Sequence, residues 1–177
     1  NIEIYDCPPN NLRNYRRGWD FAGTKGGGDY SATVHLADDV EGNVWILDAV
    51  DQQVSSNDLR KWIKSNMIID GRQTFTSMPQ DPGQAGKDQA NSMSREFQGN
   101  RFEFTTESGD KITRAEPIAS QVNVGNVKMI KGEWNKRFVE QLRMFPNAKN
   151  DDLVDALSRA YNSGFRTTTK KKSKVFM

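Results

Sequence analysis

The chain has 177 residues and a formal net charge of +2, and its 35% hydrophobic and 27% charged residues fit one globular domain with a substantial core. Its single cysteine excludes an internal disulfide and a cysteine-based zinc site, and its single histidine leaves one candidate at most for histidine-based chemistry. No apolar run approaches the ~20 residues that cross a bilayer, and the polar first residues lack a signal-peptide pattern, so we expect no membrane partner.

The first part of the chain predicts an irregular leader followed by three strands. Residues 1–15 are rich in Asn and Pro, which favours irregular chain. Residues 16–22, 31–37 and 44–51 have the alternation or β-branched content of strands, and their short connections favour an antiparallel meander. His35 falls on the polar face of the second of these strands, so we expect it to be an exposed sheet residue.

The remainder alternates between strands and helices. Helical spacing from Leu59 to Met67 is followed by a strand at 74–78, a helix at 84–98, a strand at 101–105, a helix at 113–122 and a strand at 127–130. Pro146 separates two last helices, at 134–145 and 152–161. This order predicts an α/β fold with a mixed sheet, in which three antiparallel strands are followed by parallel strands, flanked by helices.

The C-terminal end is basic. Residues 166–177 carry a net charge of +5, which leaves −3 for the rest of the chain. We expect residues 164–177 to be a flexible basic tail. Such a tail is either a solvated chain end or a contact to nucleic acid or a protein partner.

Two separate aspartates lie at positions of functional interest in the predicted fold: one within a strand, where a charge is costly to bury, and one at the end of a strand. Asp20 stands between Trp19 and Phe21 in a predicted strand, and a carboxylate buried there needs a partner or a metal ion. Asp81 follows another predicted strand, at the end where α/β sheets bind ligands, although Asp-Pro-Gly is also an ordinary turn sequence.

A third acidic site opens the last predicted helix. Asp151, Asp152 and Asp155 lie within five residues, and Asp152 and Asp155 share one helix face. Aspartates in a first turn also favour the helix dipole, but Asp155 lies deeper, among apolar positions. Carboxylates so close together repel one another without a cation. Since carboxylates are the available ligands, we predict a hard cation, Mg²⁺ or Mn²⁺.

With these residues in place, the chain resembles the C-terminal nuclease domain of the large terminase subunit of tailed phages and related prophages. The ordered set is specific, although each piece alone is weak. The pieces are GWDFAG at 18–23, DYSA at 29–32, QDPGQAGK at 80–87, RAEP at 114–117, and FP at 145–146 followed by DDLVDAL at 151–157. Members of that family often have His before the Asp-Asp pair, where this chain has Asn150.

The resemblance implies a ribonuclease-H-like domain over residues 16–163 that cleaves double-stranded, concatemeric viral DNA during genome packaging in the host cytoplasm. It implies Asp20, Asp81 and Asp152 as catalytic residues and a supporting role for Asp29. It implies metal binding by Asp20, Asp81 and one or both of Asp151 and Asp152, with Asp155 either as a further ligand or as a residue that supports the ligands. Two Mg²⁺ or Mn²⁺ ions would serve the hydrolysis, with Asp20 as the bridging ligand. In a longer parent protein, the partners would be an N-terminal ATPase domain, the small terminase subunit and the portal.

Four basic residues near the acids are candidates for DNA contacts: Lys25, Lys87, Lys111 and Arg114. Such contacts go to phosphates and carry no sequence information, so we expect weakly specific, salt-sensitive cleavage. Neither Gly-rich segment has the spacing of a phosphate-binding loop, so we infer no ATPase in this chain. Two alternatives stay open: a ribonuclease-H-like resolvase or ribonuclease, and a non-catalytic DNA-clamp or docking module.

Overall fold

Seven strands form one sheet and five helices pack on it in residues 1–23 and 29–168, which a computed structural model describes, with the backbone alone at 165–168. The strands are β1 (Glu3–Tyr5), β2 (Arg13–Asp20), β3 (Ser31–Asp38), β4 (Val44–Gln52), β5 (Phe75–Pro79), β6 (Phe102–Thr105) and β7 (Val127–Ile130). The helices are α1 (Ser56–Asp70), α2 (Gln84–Glu96), α3 (Lys111–Asn123), α4 (Asn135–Met144) and α5 (Asp152–Thr168).

The sheet is mixed, in the order β1-β7-β4-β3-β2-β5-β6. The pairs β2–β3 and β3–β4 are antiparallel, and the other neighbouring pairs are parallel. This arrangement confirms the predicted α/β class, with three antiparallel strands followed by parallel ones. Because β2, β4, β5 and β6 run in the same direction, their C-terminal ends lie at one edge of the sheet, where ligands of α/β folds bind.

The residues of β2 alternate between the two faces of the sheet. Trp19 packs in a core with residues of α1 and α2, among them Ile63 and Met93. Gly18 and Asp20 point the other way, toward α5, whose Ala156 and Ala160 belong to the second core. The two cores therefore lie on opposite faces of the sheet, and Asp20 belongs to the face that α5 covers.

The prediction that His35 is exposed is wrong. Its Nε2 lies 3.1 Å from the Thr74 hydroxyl, and its Nδ1 lies 3.7 Å from Asp70 at the end of α1. On the same face, Arg17 is 2% exposed and pairs with Asp48 and Asp70. The polar face of β3 is therefore buried, and ion pairs that include Asp70 of α1 lie over it. In the sequence, the alternation of polar and apolar residues in β3 resembles that of a strand with one face in solvent.

The expected irregular leader over residues 1–15 also needs correction. β1 lies within it and pairs in parallel with β7, and β2 begins at Arg13. All three residues of β1 are exposed, so backbone pairing rather than burial places this strand at the sheet edge. At the other end, α5 continues to Thr168, into the predicted tail over 164–177, of which residues 169–177 lie outside the described ranges. No helix in the described part of the chain is both long and apolar enough to span a membrane.

Candidate metal centre

Asp20 is the last residue of β2, and α5 lies directly over it. The reason is Gly18, since a β-carbon at this position would overlap the carbonyl oxygen of Ala156 and the amide nitrogen of Ala160. Only glycine permits this backbone-to-backbone approach. The close approach lowers the first turns of α5 onto the end of β2, so Asp152 and Asp155 come to lie beside Asp20.

Burial and neighbouring charges raise the pKa of all three carboxyl groups. Burial raises the pKa of Asp20 well above its ordinary value of 3.8, and the charges of Asp155, Asp152 and Glu107 add to this effect, while Lys111 opposes it. Burial also raises the pKa of Asp152, and the charges of Asp151 and Asp51 add to this effect, while a side-chain hydrogen bond with Asp20 and the charge of Lys111 oppose it.

Asp155 is affected in the same direction. Burial raises the pKa of Asp155 to about 6; the charges of Asp151 and Glu107 act with burial, and those of Lys111 and Arg114 act against it. All three pKa shifts mean that the ionised carboxylates are disfavoured in this fold without a neutralising cation.

Lys111 supplies part of the neutralising charge. It is the first residue of α3, and its Nζ lies 3.0 and 2.9 Å from the two carboxylate oxygens of Asp151 and 3.6 Å from Asp155. Asp151 itself is 9% exposed. The ammonium group predicted to contact DNA is therefore bound to two of the predicted metal ligands.

Asp81 lies across a cavity from this group. It follows β5 in an exposed turn, and Gly86 lets the first turn of α2 close on its backbone, because a β-carbon there would overlap the Asp81 carbonyl. Asp81, Asp20 and Glu107 line the same cavity at the strand ends. Among residues 1–23 and 29–168, no three His, Cys, Asp or Glu side chains are arranged so that they could hold an ion as they stand.

The remaining predicted residues lie around this cavity or away from it. Asp29 is exposed, and its Oδ2 would lie 3.3 Å from a β-carbon placed on Gly23, which lines the cavity. Lys87 is exposed in the first turn of α2. Arg114 donates to the Gly109 carbonyl at 2.7 Å and forms an ion pair with Glu107 at 3.1 Å. Lys25 lies outside the described residues.

Two acidic residues of this edge were missed by sequence reasoning. Glu107 follows β6, and its two carboxylate oxygens accept from Arg159 at 3.2 Å and Arg114 at 3.1 Å. It lines the cavity of Asp20 and also a neighbouring cavity that Asp155 lines. Asp51, near the end of β4, has a side chain that is 4% exposed. The signal that singled out Asp81, an acid at the end of a strand, applies equally to both.

Comparison with known proteins gives a consistent result. The family model described as a terminase RNaseH-like domain matches residues 17–163. The large terminase nuclease of thermophilic phage G20c, solved with bound zinc, is 18% identical and superposes with a TM-score of 0.66 over 91% of this chain and 92% of its own. The same nuclease with bound magnesium gives a TM-score of 0.65 at 16% identity, again over 91% and 92% of the two chains.

A more distant structure shares the same fold. The fowlpox virus resolvase, solved with Holliday junction DNA, has a TM-score of 0.53 at 9% identity over 88% of this chain and 99% of its own. At these identities, the structures establish the fold alone. A comparison with curated protein sequences gives no match.

Proposed function

Because this chain belongs to the terminase RNaseH-like domain family, as its resemblance predicts, we propose that it is a metal-dependent endonuclease that cleaves double-stranded DNA during viral genome packaging. The observation that carries the proposal is the convergence of Asp20, Asp152 and Asp155 where α5 crosses the end of β2. Their ionised forms are all disfavoured there without a cation. Strongly perturbed carboxyl groups at the end of a strand, beside a cavity, are characteristic of functional sites.

The donor set fits a hard cation. The candidate ligands Asp20, Asp81, Asp151, Asp152 and Asp155 offer carboxylate oxygens only, which suits Mg²⁺ or Mn²⁺. Bound ions, two in our proposal, would lower the pKa of the attacking water and stabilise the charge on the leaving 3′ oxygen. Asp20 is the candidate bridge, because it interacts with Asp152 and also lines the cavity that Asp81 lines.

The chain's own side chains prepare this site. Lys111 holds Asp151 and Asp155 together, and the two arginines on Glu107 keep that carboxylate paired at the cavity wall. His35 lies on the opposite face of the sheet, so no histidine acts as base at this site. Asp29 lies beside Gly23, and we keep it as the candidate for a supporting residue at the cavity mouth.

DNA would approach from the open side of the cavity. We assign phosphate contacts to Lys25, Lys87 and Arg114. Lys111 is also a candidate, and its ammonium group would then contact both a DNA phosphate and the carboxylates of Asp151 and Asp155. These contacts predict cleavage with little sequence preference and strong salt sensitivity. In a longer parent protein, the domain would act in the host cytoplasm beside an N-terminal ATPase domain, the small terminase subunit and the portal.

One other enzymatic activity has a specific observation in its favour. The likeness to the fowlpox resolvase shows that the same fold serves a protein solved with a four-way junction. The family match favours the terminase function over a resolvase or ribonuclease. Cleavage of linear duplex DNA, compared with junction DNA and RNA–DNA hybrids, separates these activities.

The test is cleavage of supercoiled plasmid in Mn²⁺, with and without EDTA. We expect the wild-type chain to nick and linearise the plasmid, and we expect Asp20→Asn, Asp81→Asn and Asp152→Asn to abolish the reaction while remaining folded. Asp88→Asn is the matched control, because this acid is exposed on α2, where it accepts a hydrogen bond from Gln84 one turn earlier. Full activity of Asp20→Asn would defeat the proposal and favour a non-catalytic clamp.

A further inference from the structure

Asp51 connects the metal-site face of the sheet to α4. It lies in one row across three strands with Asp20, since Asp20 pairs with Ala32 and Ala32 with Asp51. Arg137 donates to both of its carboxylate oxygens at 2.7 Å, and Gln141 donates its amide at 3.2 Å. Arg137 and Gln141 are one turn apart on α4, so a single helix face grips this carboxylate.

The other end of the Gln141 side chain reaches the start of α5. Its Oε1 accepts a hydrogen bond from the backbone N–H of Leu153 at 3.1 Å. The first N–H groups of a helix have no hydrogen-bond partner within the helix. In α5, the first backbone N–H described as donating to a carbonyl one turn earlier is that of Asp155, which donates to Asp151. The preceding side chain, that of Asp151, is bound to Lys111. Gln141, a residue of α4, therefore caps α5 at Leu153, which directly follows Asp152.

We infer that Gln141 is a positioning residue that fixes the first turn of α5, and with it the direction of Asp152 toward Asp20, while Asp51 and Arg137 hold Gln141 in place. This inference rests on the proposed function, because it assumes that Asp152 binds the metal ion. Gln141 is only 7% exposed, so its side chain faces the protein rather than the solvent. Gln141 affects ion binding indirectly, by fixing the helix that carries Asp152. In other metalloproteins, side chains that hold the metal ligands in place affect metal affinity in the same way.

The chain offers a matched control at the opposite end of α4. Asn135 is also buried, at 9% exposure, and its amide likewise bonds to the backbone, accepting from Gly132 at 2.6 Å and donating to Ile130 at 2.9 Å. Gln141→Met and Asn135→Leu each replace a buried amide by an apolar side chain of similar length. Both lose hydrogen bonds to the backbone, but only the first loses the cap on α5.

The experiment titrates Mn²⁺ into the folded variants and records the thermal midpoint and the amide exchange of Leu153. We expect Gln141→Met to raise the half-saturating Mn²⁺ concentration by about 10-fold and to speed Leu153 exchange, with Asn135→Leu within about twofold of wild type in both. Arg137→Gln, a change at a half-exposed position, should produce a smaller shift in the same direction.

The outcomes separate this inference from the proposed function. If wild type neither binds Mn²⁺ nor cleaves DNA, the proposed function fails, and the inference fails with it. If wild type binds and cleaves but Gln141→Met titrates like wild type, the inference alone is overturned. Equal weakening by Gln141→Met and Asn135→Leu would also overturn it, because it would indicate a general loss of stability.

Discussion

Replacing Asp155 by asparagine should stabilise the metal-free domain at neutral pH. The pKa of Asp155 is raised from 3.8 to about 6, first by burial, and its side chain is 11% exposed. At about 1.4 kcal/mol per pH unit, this difference disfavours the ionised form in the folded state by about 3 kcal/mol. The neutral amide that Asp155→Asn introduces carries no such penalty.

The effect has a definite dependence on pH. Because the folded-state pKa lies above the unfolded value, wild type loses unfolding free energy as the pH rises from about 4 to about 6. The gain from Asp155→Asn should therefore be about 3 kcal/mol at pH 7 and below about 1 kcal/mol at pH 4. In a chain of this size, the gain at pH 7 corresponds to a rise in Tm of about 6–12 °C.

The assay is urea unfolding in EDTA at both pH values, repeated in Mn²⁺. Mn²⁺ should stabilise wild type and remove most of the variant's advantage, because a bound ion neutralises the carboxylate that the variant lacks. Asp88→Asn, an exposed acid on α2, serves as control and should change little at either pH. Destabilisation by Asp155→Asn at pH 7, or an equal gain at pH 4, would refute the electrostatic reasoning.

Three further predictions concern other parts of the fold. Burial, and secondly the charge of Arg17, lower the pKa of His35 from 6.5 to about 4, so the unfolding free energy should fall by up to about 3 kcal/mol as the pH drops through this range. His35→Gln should flatten that pH profile in urea unfolding, and an unchanged profile would contradict the assignment. Gly18→Ala should cost about 1–3 kcal/mol by pushing α5 away from β2 and should also weaken Mn²⁺-induced stabilisation; a variant that titrates like wild type would refute the close-approach argument. Lys111→Met should lower the Tm in EDTA but enlarge the rise in Tm on adding Mn²⁺, since the ion then meets less positive charge; a smaller rise would count against the role of Lys111.

Most of the helices and strands could be predicted, because the spacing of apolar residues along each of them is typical of a helix or of a strand. The helices have apolar residues at helical spacing, and every predicted strand after the leader is present. β1 could not be found this way, since its three exposed residues carry no burial pattern and pair only after β7 has formed. The prediction for His35 was wrong because the alternation of polar and apolar residues distinguishes the two faces of a strand. It does not show whether a helix covers the polar face.

Part of the acidic cluster was predictable from residues at which a charge conflicts with burial. Asp20 between two aromatic residues and Asp155 within an apolar helix both stood out, and the structure brings them together. Glu107 and Asp51 lie in polar-looking contexts, and only the parallel direction of β2, β4 and β6 reveals that they share this edge. The Gln141 cap depends on two helices meeting, which local sequence does not encode.

We propose that Asp20 and Asp152 hold one ion jointly. A crystal structure of the chain grown with Mn²⁺ tests it most directly, through the anomalous signal of the ion. We expect an anomalous peak between these carboxylates, with ligand distances of roughly 2.0–2.3 Å, and we expect Asp81 to be drawn toward the ion across the cavity. If crystals at a saturating Mn²⁺ concentration show no peak at this position, or show the ion out of reach of both aspartates, then Asp20 and Asp152 do not bind an ion together.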